Sequence, residues 1–100
     1  MNDRQLTLKS IISVSPSQTS SELLNEIVIL ELKSGVYYGL NETGSKIWSL
    51  IQQSMTVAEI RDALLAEYEI DSESCTHYVI NLIEDLVAKD LAVVKNETVV

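Results

Sequence analysis

The sequence predicts an α+β domain, winged helix-turn-helix-like, with an N-terminal three-stranded antiparallel sheet followed by three helices. Apolar residues follow a strand-like period of two up to Leu40, and from Asn41 the spacing becomes helical. A helix-start signature at Thr56 and a short polar turn at Glu69-Ile70-Asp71 then divide the helical half into three. With 100 residues, 46% hydrophobic and 22% charged, the chain is one globular domain with a modest core.

Leu6, Leu8, Ile12 and Val14 share even positions, as in a half-buried first strand. The polar run Ser15-Pro16-Ser17-Gln18-Thr19-Ser20-Ser21 predicts a loop, and residues 15–24 are expected to be mobile. Ile27-Val28-Ile29-Leu30-Glu31-Leu32 is a second strand, almost continuously apolar. Lys33-Ser34-Gly35 is a hairpin connection in which Gly35 takes the left-handed position. Residues 36–40 return as the third strand. Alternation turns Val36, Tyr38 and Leu40 toward the core and Tyr37 and Gly39 away from it. Gly39, lacking a side chain, either lets another backbone approach or marks a bulge.

Asn41 is the expected N-cap of the first helix, with Glu42 at its positive end and Gly44, Ile47, Trp48 and Ile51 on its core face. Trp48 therefore reads as core. Thr56-Val57-Ala58-Glu59 is a capping box opening a second helix that buries Val57, Ile60, Leu64 and Tyr68. Asp71 caps a third helix running to about Lys89, and Ile70 is placed to pack on Cys75 as a hydrophobic staple. On that helix Cys75, Val79, Leu82 and Leu86 form the expected core stripe. Tyr78, Ile80, Ile83 and Val87 widen the apolar arc, which calls for a second surface to cover. Leu91-Ala92-Val93-Val94 closes as a short strand or extended segment, and 96–100 as a tail.

Fifteen acidic against seven basic residues give a net charge of −8. Residues 71–90, the recognition helix of a winged-helix DNA-binding regulator, carry five acids and one lysine, which repels phosphate. That reading, and nucleic acid as a partner, are thereby disfavoured. Cys75 reads as a small buried hydrophobe and His77 as a solvated helix residue. No nucleophile–base order, metal-ligand spacing or phosphate-cradling glycine loop is visible, so neither an enzyme nor a bound metal or cofactor is expected. The N-terminus lacks a signal-peptide pattern, and no apolar run is long enough to span a bilayer. A cytoplasmic location without a membrane partner is the expectation.

Ile29-Leu30-Glu31-Leu32, Tyr37-Tyr38-Gly39-Leu40-Asn41-Glu42-Thr43-Gly44, Ile47-Trp48, Thr56-Val57-Ala58-Glu59-Ile60 and Leu82-Ile83-Glu84-Asp85-Leu86 resemble, in order and spacing, the PqqD-like recognition elements. These bind the leader segments of ribosomally made, post-translationally modified peptides, and the likeness runs from about residue 25 to 95. The free-standing chain is most similar to those of lasso-peptide pathways; the PqqD-type chaperone of pyrroloquinoline quinone biosynthesis is the alternative. The sequence departs from the family pattern at Asp90, where a glycine is usual; Asp tolerates the left-handed conformation needed there.

The resemblance implies that a leader peptide adds as an antiparallel strand along Val36, Tyr37, Tyr38, Gly39 and Leu40. Its side chains would enter a groove against the third helix. Tyr37 is the aromatic expected in that groove, Tyr38 the one expected in the core. Tyr78, Leu82, Ile83 and Asp85, on or beside the apolar arc, are the candidate groove residues of the helix. Glu84, Asp85 and Asp90 either receive basic leader residues or form a solvated face. Implied partners are the precursor peptide, a cysteine-protease-like leader peptidase and an ATP-dependent lactam-forming cyclase. A monomer is expected to function, with a strand-exchanged dimer through the polar 15–21 segment as the other state.

Overall fold

The computed structural model describes residues 6–16, 18–24 and 26–95, so the expected tail over 96–100 lies outside it. In chain order come β1 (Ile11–Val14), β2 (Gln18–Leu23), β3 (Glu26–Glu31), β4 (Tyr37–Leu40), α1 (Glu42–Leu50), β5 (Met55–Thr56), α2 (Val57–Glu67), α3 (Ser72–Ala88) and β6 (Ala92–Lys95). The α+β class and the order of the three helices are as expected. The strands, however, divide into two antiparallel sheets, ordered β2-β3-β4 and β5-β1-β6.

Two expectations are corrected by this division. The polar segment expected as a loop forms a strand instead: β2 pairs with β3 from Gln18 opposite Glu31 to Leu23 opposite Glu26. Its polar side chains carried no apolar alternation, yet its backbone completes the hydrogen bonding of β3. The first strand does not join the β3–β4 hairpin either. β1 pairs with β6, Ile11 opposite Lys95 through Val14 opposite Ala92, and with β5 on its other side.

The β3–β4 turn is built as its residues dictate. Gly35 has φ of 74°, and its N–H donates to the Glu31 carbonyl at 2.8 Å. Glu31 is buried, and its Oε1 accepts the Ser34 N–H at 2.8 Å, bracing the turn from within. Val36 sits past the end of the core and is 54% exposed, so the alternation that aimed it inward has nothing left to pack on.

Helix starts follow local chemistry. Asn41 Oδ1 accepts from the Gly44 N–H at 2.8 Å, Thr56 and Glu59 exchange both bonds of a capping box, and Asp71 accepts from Ser74 N–H at 2.9 Å. Ile70 remains largely exposed beside Cys75. The far end of α3 closes in a Schellman turn: Asp90, at φ of 61°, donates its N–H to the Val87 carbonyl, and Leu91 donates to Leu86. Asp therefore fills the left-handed position where the family pattern has glycine.

Ile12, Ile29, Ile47, Trp48, Ile51, Ile60, Val79, Ile83 and Leu86 form the centre of the core. Ser45, buried on α1, accepts the Ile27 N–H at 2.9 Å and donates to the Leu40 carbonyl at 3.3 Å, which ties α1 to β3 and β4.

Candidate functional site: the open edge of β4 and the flank of α3

β4 pairs with β3 on one side only, and among the described residues no strand covers its other edge. The Glu31 N–H donates to the Val36 carbonyl, and antiparallel bonding alternates residue by residue. Tyr38 and Leu40 thus turn their backbone groups toward β3, whereas Tyr37 and Gly39 present N–H and C=O to the open edge. Gly39 is not a bulge, since it stands in register opposite Val28, and a Cβ placed on it would touch nothing.

α3 runs beside this edge in the opposite direction. Near its end, the Tyr38 hydroxyl donates to Asp85 Oδ2. Lys89 Nζ lies 2.9 Å from Asp85 Oδ1 and 5.4 Å from the centre of the Tyr38 ring. Near its start, the Tyr78 hydroxyl reaches Asn41 Oδ1 at 3.5 Å. Burial is the main cause pushing the Tyr38 hydroxyl up to about 12, with the hydrogen bond to Asp85 adding to it. Asp85 is held below the usual carboxylate range, first by the Tyr38 hydroxyl and then by the Lys89 ammonium. This polar latch is shared between strand and helix, with the Asp85 and Lys89 side chains partly exposed.

An open depression of about 520 Å³ lies along this flank, lined by Tyr78, Asn81, Leu82, Glu84, Asp85 and Ala88. Tyr78 also borders a second depression of about 410 Å³, walled by Asn41, Leu64, Tyr68, Ile70 and Cys75. The structure thus brings together Tyr38, Tyr78, Leu82 and Asp85 of the sequence-selected residues. Ile83 does not join them: it is fully buried, and the core stripe is Cys75, Val79, Ile83 and Leu86, with Leu82 half-buried at the rim. Tyr37, 69% exposed, lies on the outer side of the sheet away from α3, whereas Tyr38 packs half-buried against the core with its hydroxyl on Asp85. Leu40 is core, and Val36 stands free at the hairpin.

Lys89, Asn81 and the α2–α3 corner around Tyr68 and Ile70 were not among the site residues read from the sequence. Only the helical period of α3 could have flagged Asn81, one turn from Asp85 and Tyr78; the corner depends on how α2 docks. A further depression of about 420 Å³, with Leu6, Val87, Val93 and Val94 in its wall, lies on the other flank of α3 against β6. Among the described residues, no helix is long and apolar enough to cross a membrane.

Two solved structures share this fold. One, described as TbiB1 in complex with the TbiA(beta) leader peptide, is 31% identical, with a TM-score of 0.76 over 86% of this chain and 98% of that one. A second, a lasso peptide synthetase B1 complexed with the leader peptide, is 22% identical, with a TM-score of 0.75 over 82% and 96%, and shows the shared fold. No curated protein sequence matches the chain. Residues 26–92, which span β3 through the start of β6, match the family described as coenzyme PQQ synthesis protein D, and the chain belongs to this PqqD family.

Proposed function

We propose that the protein captures the leader segment of a ribosomally made precursor peptide by strand addition to β4 and presents it to separate maturation enzymes. The observation that carries this reading is the open edge of β4 beside the depression bounded by Tyr78, Leu82 and Asp85. Main-chain groups of Tyr37 and Gly39 supply sequence-tolerant hydrogen bonds, and the depressions along α3 select side chains. The 31%-identical structural neighbour is described in complex with a leader peptide, which supports leader capture as the function. Lasso-type leader peptidase and lactam cyclase are the proposed recipients, in a cytoplasmic setting.

The protein itself performs no bond chemistry in this reading. Cys75, the one thiol, is buried, and burial pushes its pKa up, which makes it a poor nucleophile. The proposed functional unit is a monomer, in which β2 pairs with β3 of the same chain. The family description favours a second product class, the pyrroloquinoline quinone pathway, with the same capture geometry.

The test is binding to the leader of a precursor encoded beside this chain. Gly39→Pro deletes an outward N–H and should abolish most binding while circular dichroism stays native. Tyr78→Ala and Leu82→Ala should each weaken binding by roughly tenfold to a hundredfold, the scale of losing a buried apolar anchor. Amide shifts on leader addition should cluster at 37–40 and along the Tyr78–Asp85 flank. Shifts confined to β6 and its depression would exclude the β4 edge. A precursor of the quinone type binding in place of a lasso leader would select the second product class.

A further inference from the structure

Gly39 is the residue of β4 that the fold itself does not explain. It stands in register opposite Val28, and its φ is not the left-handed one seen at Gly35. A Cβ placed on Gly39 would meet nothing within 4 Å, so no packed neighbour needs the space. Inside a strand, glycine loosens the backbone and packs nothing, and a β-branched residue would hold the strand better. With bulge, positive φ and internal crowding excluded, the remaining use of a strand glycine is close approach by something outside the chain.

Register sets what approaches. The N–H and C=O of Gly39 face the open edge, so a strand added there hydrogen-bonds to Gly39 directly. The added residue opposite Gly39 turns its side chain to the outer side of the sheet, the side that Gly39 leaves bare. That side chain can lie across the Gly39 backbone as far as Val28, which is half-buried on β3. Tyr37, 69% exposed, walls this trough on one side with Leu30 opposite it, and exposed Glu26 stands beside Val28 on the other. Strands lie about 4.8 Å apart, so Val28 is roughly 10 Å from the added backbone. Val, Thr and Leu are too short to cross that distance. A flat aromatic ring spans it, rests on the glycine and meets the Tyr37 ring from the side, as aromatic pairs on one sheet face do.

We propose that Gly39, Tyr37 and Val28 form a trough that selects an aromatic side chain of the leader, on the opposite side of the sheet from the α3 flank. The inference rests on the leader-capture reading and deepens it, because the bound strand is then read on both its faces.

The experiment measures binding of the leader encoded beside this chain, intact and with each residue changed singly to Ala, to wild-type and Gly39→Val protein. The valine keeps the outward N–H and has room for its side chain, so urea unfolding should show a protein at least as stable as wild type. Leader affinity should nevertheless fall by about tenfold. One aromatic leader residue should lose about tenfold on change to Ala against wild type and almost nothing against Gly39→Val, the mark of a shared contact. Tyr37→Ala, at an exposed site, should weaken the contribution of that same leader residue, and it decides the matter alone if the valine unfolds the protein. Wild-type binding that Gly39→Val leaves unchanged or tightens overturns the trough and leaves capture standing. A fall in affinity that traces to no single aromatic residue overturns it too. Coupling to a leader Lys or Arg that Glu26→Gln removes assigns the trough to a cation and overturns the aromatic. A wild type that binds no leader overturns the capture reading, and the trough with it.

Discussion

Tyr37 and Tyr38 are chemically alike and adjacent, yet one faces water and the other packs half-buried and hydrogen-bonds Asp85. Local rules read Asn41, Thr56 and Asp71 correctly from sequence, because a cap and its amide lie within one turn. The partner of Tyr38 was illegible for the opposite reason: Asp85 belongs to a distant helix. Tyr38 has its pKa raised from 10.0 to about 12, so the protonated latch is favoured; its contribution holds below pH 10 and is lost as pH climbs toward 12. Asp85 is depressed below 3.8, so its share is present above that pH and lost as pH falls through the lowered value. An ultraviolet titration should show one tyrosine ionising near 12. Asp85→Asn should move it back toward 10; a value still near 12 in that variant would assign the whole shift to burial.

At the scale of elements, α3 was placed correctly but its face was read one position off. The helical period admits Leu82 or Ile83 between Val79 and Leu86, and only the docking of α2 and the sheets decides for Ile83. The two residues should separate cleanly in urea unfolding. Ile83→Ala should cost about 2 to 5 kcal/mol, as a cavity in a closed core does, and Leu82→Ala about 1 kcal/mol from partly exposed surface. Equal losses would place both side chains at the rim. β2 was missed because strand signals are apolar alternation, and Gln18, Thr19, Ser20, Ser21 and Glu22 have none. What holds β2 is the hydrogen-bonding capacity of β3, with Trp48 Nε1 donating to Ser20 Oγ at 3.3 Å as a side-chain tie.

For the molecule as a whole, the α+β class, three helices and an open β4 edge were legible, since each follows from a change of periodicity or a local turn. The division into two sheets was not. β1 carries the same alternation whether it joins β3 or β6, and pairing partners far apart in sequence leave no local signature. The division has a functional result. With β1 drawn away to β5 and β6, β2 supplies the second neighbour of β3, and β4 stays at the margin beside α3.

The pairing of β1 with β6 also sets an order of events during folding. β2, β3 and β4 meet through short turns and can associate early, within microseconds for a hairpin. β1 and β6 are separated by nearly the whole chain, and their closure carries the largest entropic cost. During synthesis, Ile12 stays uncovered on its β6 side until the final strand emerges. In stopped-flow experiments, Val94→Ala on β6 should accelerate unfolding and leave refolding nearly unchanged, whereas Ile29→Val on β3 should slow refolding. If Val94→Ala instead slows refolding by the whole of its stability loss, closure of the chain ends is already complete at the folding barrier.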